Sequence, residues 1–114
     1  MNDNSLRFTG NIIYFDTRRI DTDYPVKTAF RIEDKIIVLY DPDSDTKKFG
    51  QFPNLIAFSL QGEKLWIAKL PTNESGDAYV EIESTEPLVA YSWKGFHCSI
   101  DISNGKILEK RYVR

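Results

Sequence analysis

Residues 54–70 read NLIAFSLQGEKLWIAKL. Two apolar runs, 54–60 and 64–70, flank a short turn built on Gln61, Gly62 and Glu63. Each run is too short for a helix of ordinary length and is rich in β-favouring side chains, so the stretch reads as a β-hairpin. The same grammar extends in both directions. Residues 28–32 and 35–40 (TAFRI, KIIVLY) flank a turn at Glu33 and Asp34. Residues 78–83 and 87–93 (AYVEIE, PLVAYSW) flank Ser84, Thr85 and Glu86. Residues 96–102 and 106–113 (FHCSIDI, KILEKRYV) flank Ser103, Asn104 and Gly105. Asn-Gly is the strongest short hairpin signal, because both residues tolerate positive φ. No segment keeps a 3.6-residue apolar period over three turns.

These eight strands repeat. Residues 24–71 and 77–113 each open on a hairpin whose first strand ends at Ile32 or Ile82, and whose second ends at Tyr40 or Tyr91. Each closes on a hairpin with a glycine turn, Gly62 or Gly105, followed by Leu65-Trp66 or Ile107-Leu108. The fold expected is therefore all-β and antiparallel, two four-stranded meanders in one domain, with a strand or hairpin at residues 5–16 in front of them.

NLIAFSLQGEKLW resembles the blade repeat of PQQ-type and related β-propellers, in which an aliphatic-Ala-aromatic strand leads through a glycine turn to a tryptophan. SIDISNGKIL resembles the same hairpin with Leu108 in the tryptophan's place. The similarity spans residues 24–113. It implies blade-like sheets packed face to face as a half-propeller or sandwich. It does not imply a quinone site, because two units cannot close the ring that carries the family's cofactor. The outer faces then need cover from the N-terminal strands, from solvent-tolerant side chains or from another chain.

Composition sets the class. The chain has 114 residues, 41% of them hydrophobic and 13% aromatic, with a net charge of −2. That is enough for one core without metal or disulfide, and one cysteine, Cys98, permits no internal disulfide. With no basic excess there is no nucleic-acid footprint. The longest apolar run is too short for a bilayer, and the first residues lack a signal-peptide core. The expectation is a soluble, cytoplasmic, bacterial-type protein that binds no membrane.

Residues 41–53, DPDSDTKKFGQFP, stand where the second unit has only the tight step SWKG at 92–95. They form an insertion at a hairpin tip. A calcium loop starting at Asp41 needs glycine sixth and glutamate twelfth, and the sequence has Thr46 and Phe52 there. Asp41, Asp43, Asp45, Phe49 and Phe52 are read instead as a partner-binding element, with folding of either phenylalanine onto the sheet edge as the alternative. Residues 72–87 carry Glu74, Asp77, Glu81, Glu83 and Glu86 with no cation. Strand alternation puts Tyr79, Glu81 and Glu83 on one solvent face. Trp93 at a turn adds an exposed aromatic.

No catalytic constellation emerges. His97, Ser99 and Asp101 share one face of one strand, parallel rather than converging, and Asp101 has the simpler duty of holding the 103–105 turn. Cys98 points away from His97 into the core. One histidine and one cysteine make no zinc site, and no cofactor is expected. The protein is therefore read as non-catalytic. In general character it resembles small bacterial immunity proteins that neutralise toxins. Asp41, Asp43, Asp45, Phe49, Phe52, Glu74, Asp77, Tyr79, Glu81, Glu83 and Trp93 would cover the basic active site of a nuclease-type toxin. The alternatives are a self-assembling half-propeller, a homodimer included, and a carbohydrate- or small-ligand-binding protein on the acidic strand.

Overall fold

A computed structural model describes residues 6–44 and 50–112. Among these residues there is no helix and there are eleven strands. The strands are β1 (Arg7–Thr9), β2 (Ile12–Phe15), β3 (Arg18–Asp21), β4 (Val26–Ile32), β5 (Lys35–Tyr40), β6 (Leu55–Ser59), β7 (Lys64–Ile67), β8 (Tyr79–Thr85), β9 (Leu88–Ser92), β10 (Phe96–Ile100) and β11 (Ile107–Tyr112). They form three open antiparallel sheets: β1-β2-β3, β4-β5-β6-β7 and β8-β9-β10-β11, every neighbour consecutive in the chain. The expected meanders are present within 24–71 and 77–113. The N-terminal element is larger than a hairpin over 5–16. A third strand, β3, follows a tight turn in which Asp16 takes φ 57°.

Alternation explains the stacking. In β5, Ile36, Val38 and Tyr40 join Ile13, Phe15 and Ile20 of the first sheet in one core. Ile37 and Leu39 point the other way and join Tyr79, Leu88, Ala90, Cys98 and Ile100 of the last sheet in a second core. The middle sheet is thus apolar on both faces, which is why KIIVLY reads as a continuous run rather than an alternating one. Each such side chain removed from water stabilises the fold by roughly 1.5–3 kcal/mol.

One docking device occurs twice. The turn at Gly62 (φ 94°) lies on Ile20 of β3, where an added Cβ would stand 3.2 Å from Ile20 Cγ1. The turn at Gly105 (φ 79°) lies on Trp66 of β7, where a Cβ would stand 2.6 Å from Trp66 Cε3. Trp66 Nε1 donates to the Ile102 carbonyl at 2.9 Å, and the Gly105 carbonyl accepts from Lys69 N–H at 3.1 Å. Trp66 is buried. The Gly105 turn is wider than a two-residue Asn-Gly hairpin: Asp101 N–H bonds the Lys106 carbonyl, and Gly105 N–H returns to Asp101. Asp101 Oδ1 accepts from Ser103 N–H at 2.9 Å and Ser103 Oγ at 2.7 Å, the turn-holding duty read from the sequence.

Candidate functional site

β4 and β8 are edge strands of their sheets. Where they approach, at the end that carries the 41–53 connection, a groove of about 530 Å³ opens. Lys27, the Asp41-Pro42-Asp43 turn, Ala78, Val80 and Trp93 line it, together with Gly76. Lys27 Nζ donates to the Val80 carbonyl at 2.6 Å, tying the two edges together. Trp93 remains 68% exposed.

Local chemistry fixes the lining. Asp41 N–H bonds the Pro25 carbonyl at 2.9 Å, its Oδ1 accepts from Asp43 N–H at 3.0 Å, and its carbonyl accepts from Ser44 N–H at 3.0 Å. This is a β-turn with aspartate first and proline second, residue types suited to those places. At the Trp93 turn Asp77 does the organising. Its buried carboxylate accepts from Ala78 N–H at 3.0 Å, Lys94 N–H at 3.3 Å and Thr72 Oγ1 at 2.8 Å. The start of β8 and the 92–95 turn are thereby held together, and Trp93 N–H closes on the Ala78 carbonyl at 2.8 Å. The indole, at the turn tip, has no sheet to fold onto.

Beneath the groove Asn54 is fully buried. Its Nδ2 donates to the carbonyls of Tyr40 (3.0 Å) and Tyr79 (2.7 Å), and its Oδ1 accepts from Tyr79 N–H (2.8 Å). One amide side chain therefore joins the middle and last sheets. Sequence reasoning passed over Asn54 and over Lys27. A polar residue opening an otherwise apolar strand was the available signal for the first; nothing in the sequence marked the second.

The expected binding residues divide. Asp41 and Asp43, which lie far from Trp93 in the sequence, line the groove together with it. Glu74 is not among the residues that line the groove; it is exposed, and its Oε1 lies 3.7 Å from Lys94 Nζ. Three expectations are corrected. Phe52 is core: it packs edge-on to Tyr24 at 4.7 Å, and its N–H bonds the Asp77 carbonyl at 3.0 Å. Asp77 belongs to no acidic surface, because its carboxylate is spent on the three donors above. Tyr79 does not share a solvent face with Glu81 and Glu83. Bulges between Tyr79 and Glu81 and between Ile82 and Ser84 break the two-residue alternation, so Tyr79 turns inward. Its hydroxyl donates to the Lys69 carbonyl. Asp45 and Phe49 lie outside the described residues.

Glu81 and Glu83 stay on the outer side of the last sheet. Glu83 pairs with His97 Nδ1, and Tyr91 packs on the same imidazole at 4.8 Å between ring centroids. His97, Ser99 and Asp101 therefore have three separate surroundings and form no triad. Cys98 is sealed in the core, where burial raises its thiol pKa. Burial, followed by the nearby Cys98, also raises the Tyr79 phenol far above its ordinary value. Neither group is poised as a nucleophile. No helix among the described residues is long and apolar enough to cross a membrane.

A family model described as "Domain of unknown function (DUF7957)" matches residues 3–112. No curated protein matches the chain. Among solved structures, the crystal structure of the computationally designed Ika8 protein is similar in fold, with a TM-score of 0.55 at 14% identity. The match covers 93% of this chain and 35% of that one, so the chain spans about a third of that protein's length.

Proposed function

The chain belongs to the DUF7957 family, and from that premise we propose that it is a non-catalytic protein-binding domain of the immunity or inhibitor type. The groove is its contact surface, and a basic site on a protein partner is its target. One observation carries the reading: Trp93, 68% exposed, lines the same groove as Asp41 and Asp43. A large aromatic held in the open by a hydrogen-bonded turn costs solvation and returns it only when a partner covers it. Aromatics of this kind dominate binding energies, while carboxylates around them steer a cationic partner and fix its register. The acidic surface centred on Tyr79, Glu81 and Glu83 is replaced in this reading by the groove.

The narrower architecture belongs to the same proposal. The sheets follow one another in chain order, and the turn of each later sheet sits on the last strand of the one before. We read this as blade-like packing, an open half-propeller whose loop end carries the binding surface. The partner proposed is a nuclease-type toxin, met in the cytoplasm and encoded beside this chain.

Co-expression with the product of the adjacent reading frame tests it. A complex should form, and Trp93→Ala or Asp41→Asn should weaken it at least about tenfold, the scale of a hot spot. A complex unmoved by both substitutions, or no complex at all, refutes the reading.

A further inference from the structure

We infer that the groove is a guanidinium receptor: it takes the side chain of one arginine presented by the partner. The inference rests on the protein-binding reading above and names what that site recognises.

Three features select the ligand. First, the groove's charges are not balanced internally. Among the described residues neither Asp41 nor Asp43 has an ion-pair partner. Lys27, the one ammonium among the lining residues, spends a hydrogen on the Val80 carbonyl but keeps its charge. Two carboxylates against one ammonium leave the lining net negative. One oxygen of Asp41 serves its own turn, while its second oxygen and the carboxylate of the exposed Asp43 remain to accept.

Second, an exposed indole, Trp93, lines the same groove. A guanidinium is planar: it stacks on an aromatic face and still directs in-plane N–H donors at carboxylates beside it. A lysine ammonium has the charge but no plane, so it cannot stack on the indole and fork to a carboxylate at once. A neutral isostere such as citrulline keeps the plane but has neither the cation–π attraction nor the charge-assisted hydrogen bonds.

Third, the mode of entry is limited. β8 is an edge strand, and strand addition is one use of such an edge. Here Lys27 Nζ occupies the Val80 carbonyl, the acceptor that an added strand's N–H would need. A lysine laid on an edge blocks strand pairing. The groove therefore reads a side chain rather than a main chain, and about 530 Å³ accommodates one long side chain and its neighbours rather than a folded element.

The test uses the whole protein and three blocked pentapeptides, Gly-Gly-X-Gly-Gly, with arginine, lysine or citrulline at X. Binding is followed by NMR shifts of the Trp93 indole, with the buried Trp66 indole as internal reference. The arginine peptide should bind at least about tenfold more tightly than the citrulline peptide and several-fold more tightly than the lysine peptide. Trp93→Ala and Asp43→Asn, both at exposed positions, should each lower that affinity about three- to tenfold without unfolding the protein. Equal shifts with arginine and citrulline, or no shift of the Trp93 indole at about 10 mM peptide (a concentration that detects even very weak binding), overturn the inference. If the adjacent-frame complex still depends on Trp93 in that case, the binding role survives and only its guanidinium chemistry falls.

Discussion

Asn54 gives the sharpest test of how the sheets are joined. Replacing it with alanine strands three main-chain groups in a fully buried place: Tyr79 N–H, Tyr79 C=O and Tyr40 C=O. An unsatisfied buried group costs about 1–3 kcal/mol, and carbonyls, which have two lone pairs, suffer less than N–H groups. Taking the N–H near the top of that range and the carbonyls near its bottom gives a loss of about 3–5 kcal/mol. A domain with 5–15 kcal/mol in total, roughly, survives this with little in reserve. At a slope of about 2 kcal/mol per molar, the urea midpoint falls by roughly 2 M. Asn54→Asp sharpens the logic. It keeps the acceptor for Tyr79 N–H but turns its second oxygen on two carbonyls, so it must hold a proton to fit. Its folded pKa is then raised above the ordinary value of about 3.9, and stability is lost as pH rises through the raised value. The deficit of Asn54→Asp should shrink as pH is lowered from 7 towards 4, while that of Asn54→Ala stays level. An alanine variant within about 0.5 kcal/mol of the parent, the range of ordinary surface substitutions, would show that the sheets are not held through this amide.

Gly105→Ala should cost about 2–4 kcal/mol, from positive φ and a Cβ at 2.6 Å from the Trp66 ring. Gly62→Ala should cost less, because its neighbour is the tip of Ile20 at 3.2 Å rather than a rigid indole; thermal melts with Trp66 fluorescence compare the two. Asp77→Asn replaces an acceptor-only group with one that turns an NH2 towards one of its three donors. Trp93 anisotropy should drop as the 92–95 turn loosens, and stability should fall by about 1–3 kcal/mol; an unchanged anisotropy would contradict the anchoring role. Burial raises the pKa of the Cys98 thiol and of the Tyr79 phenol above their ordinary values. Raised folded values mean that the unfolded chain loses these protons first, so stability should decline as pH rises past about 9. In the native protein Cys98 should also react with a thiol reagent only at the rate of global opening; fast labelling would refute its burial.

The repeat was legible because its two copies fold alike to the level of defects. Ala57 faces Trp66, and the β6–β7 register slips before Phe58; Ser99 faces Glu109, and the β10–β11 register slips before Ile100. Sequence pattern carries that information because each glycine turn fixes the register of its hairpin. The third strand of the first sheet was missed for the corresponding reason: RRID alternates poorly, and its turn, Asp16-Thr17, lacks glycine. Tyr79 was placed on the wrong face because alternation fails at a bulge, and a bulge is set by pairing partners, not by the strand's own letters. Phe52 and Asp77 were misread together, since each is buried by the other's segment. The groove was half visible. Asp41, Asp43 and Trp93 stood out by type, but their meeting depends on how two edges stack, which no local pattern encodes.

Which surfaces remain for partners follows from the faces at the two ends of the stack. In the middle sheet, Leu55, Ala57 and Trp66 meet the next sheet as an apolar set. The register-equivalent positions of the last sheet are His97, Ser99 and Glu109, and Arg111 stands opposite His97. A further sheet docked there would bury the His97–Glu83 pair and two more charges with no partners supplied. At the other end, the outer side of the first sheet presents Arg7 over the Tyr14 ring and Arg19 paired with Asp21. Polar outer faces of this kind end a repeat array instead of extending it. Ring completion by stacking copies of this chain face to face is therefore disfavoured. The surface left for the proposed partner is the loop end, where the exposed Trp93 lines one groove with Asp41 and Asp43.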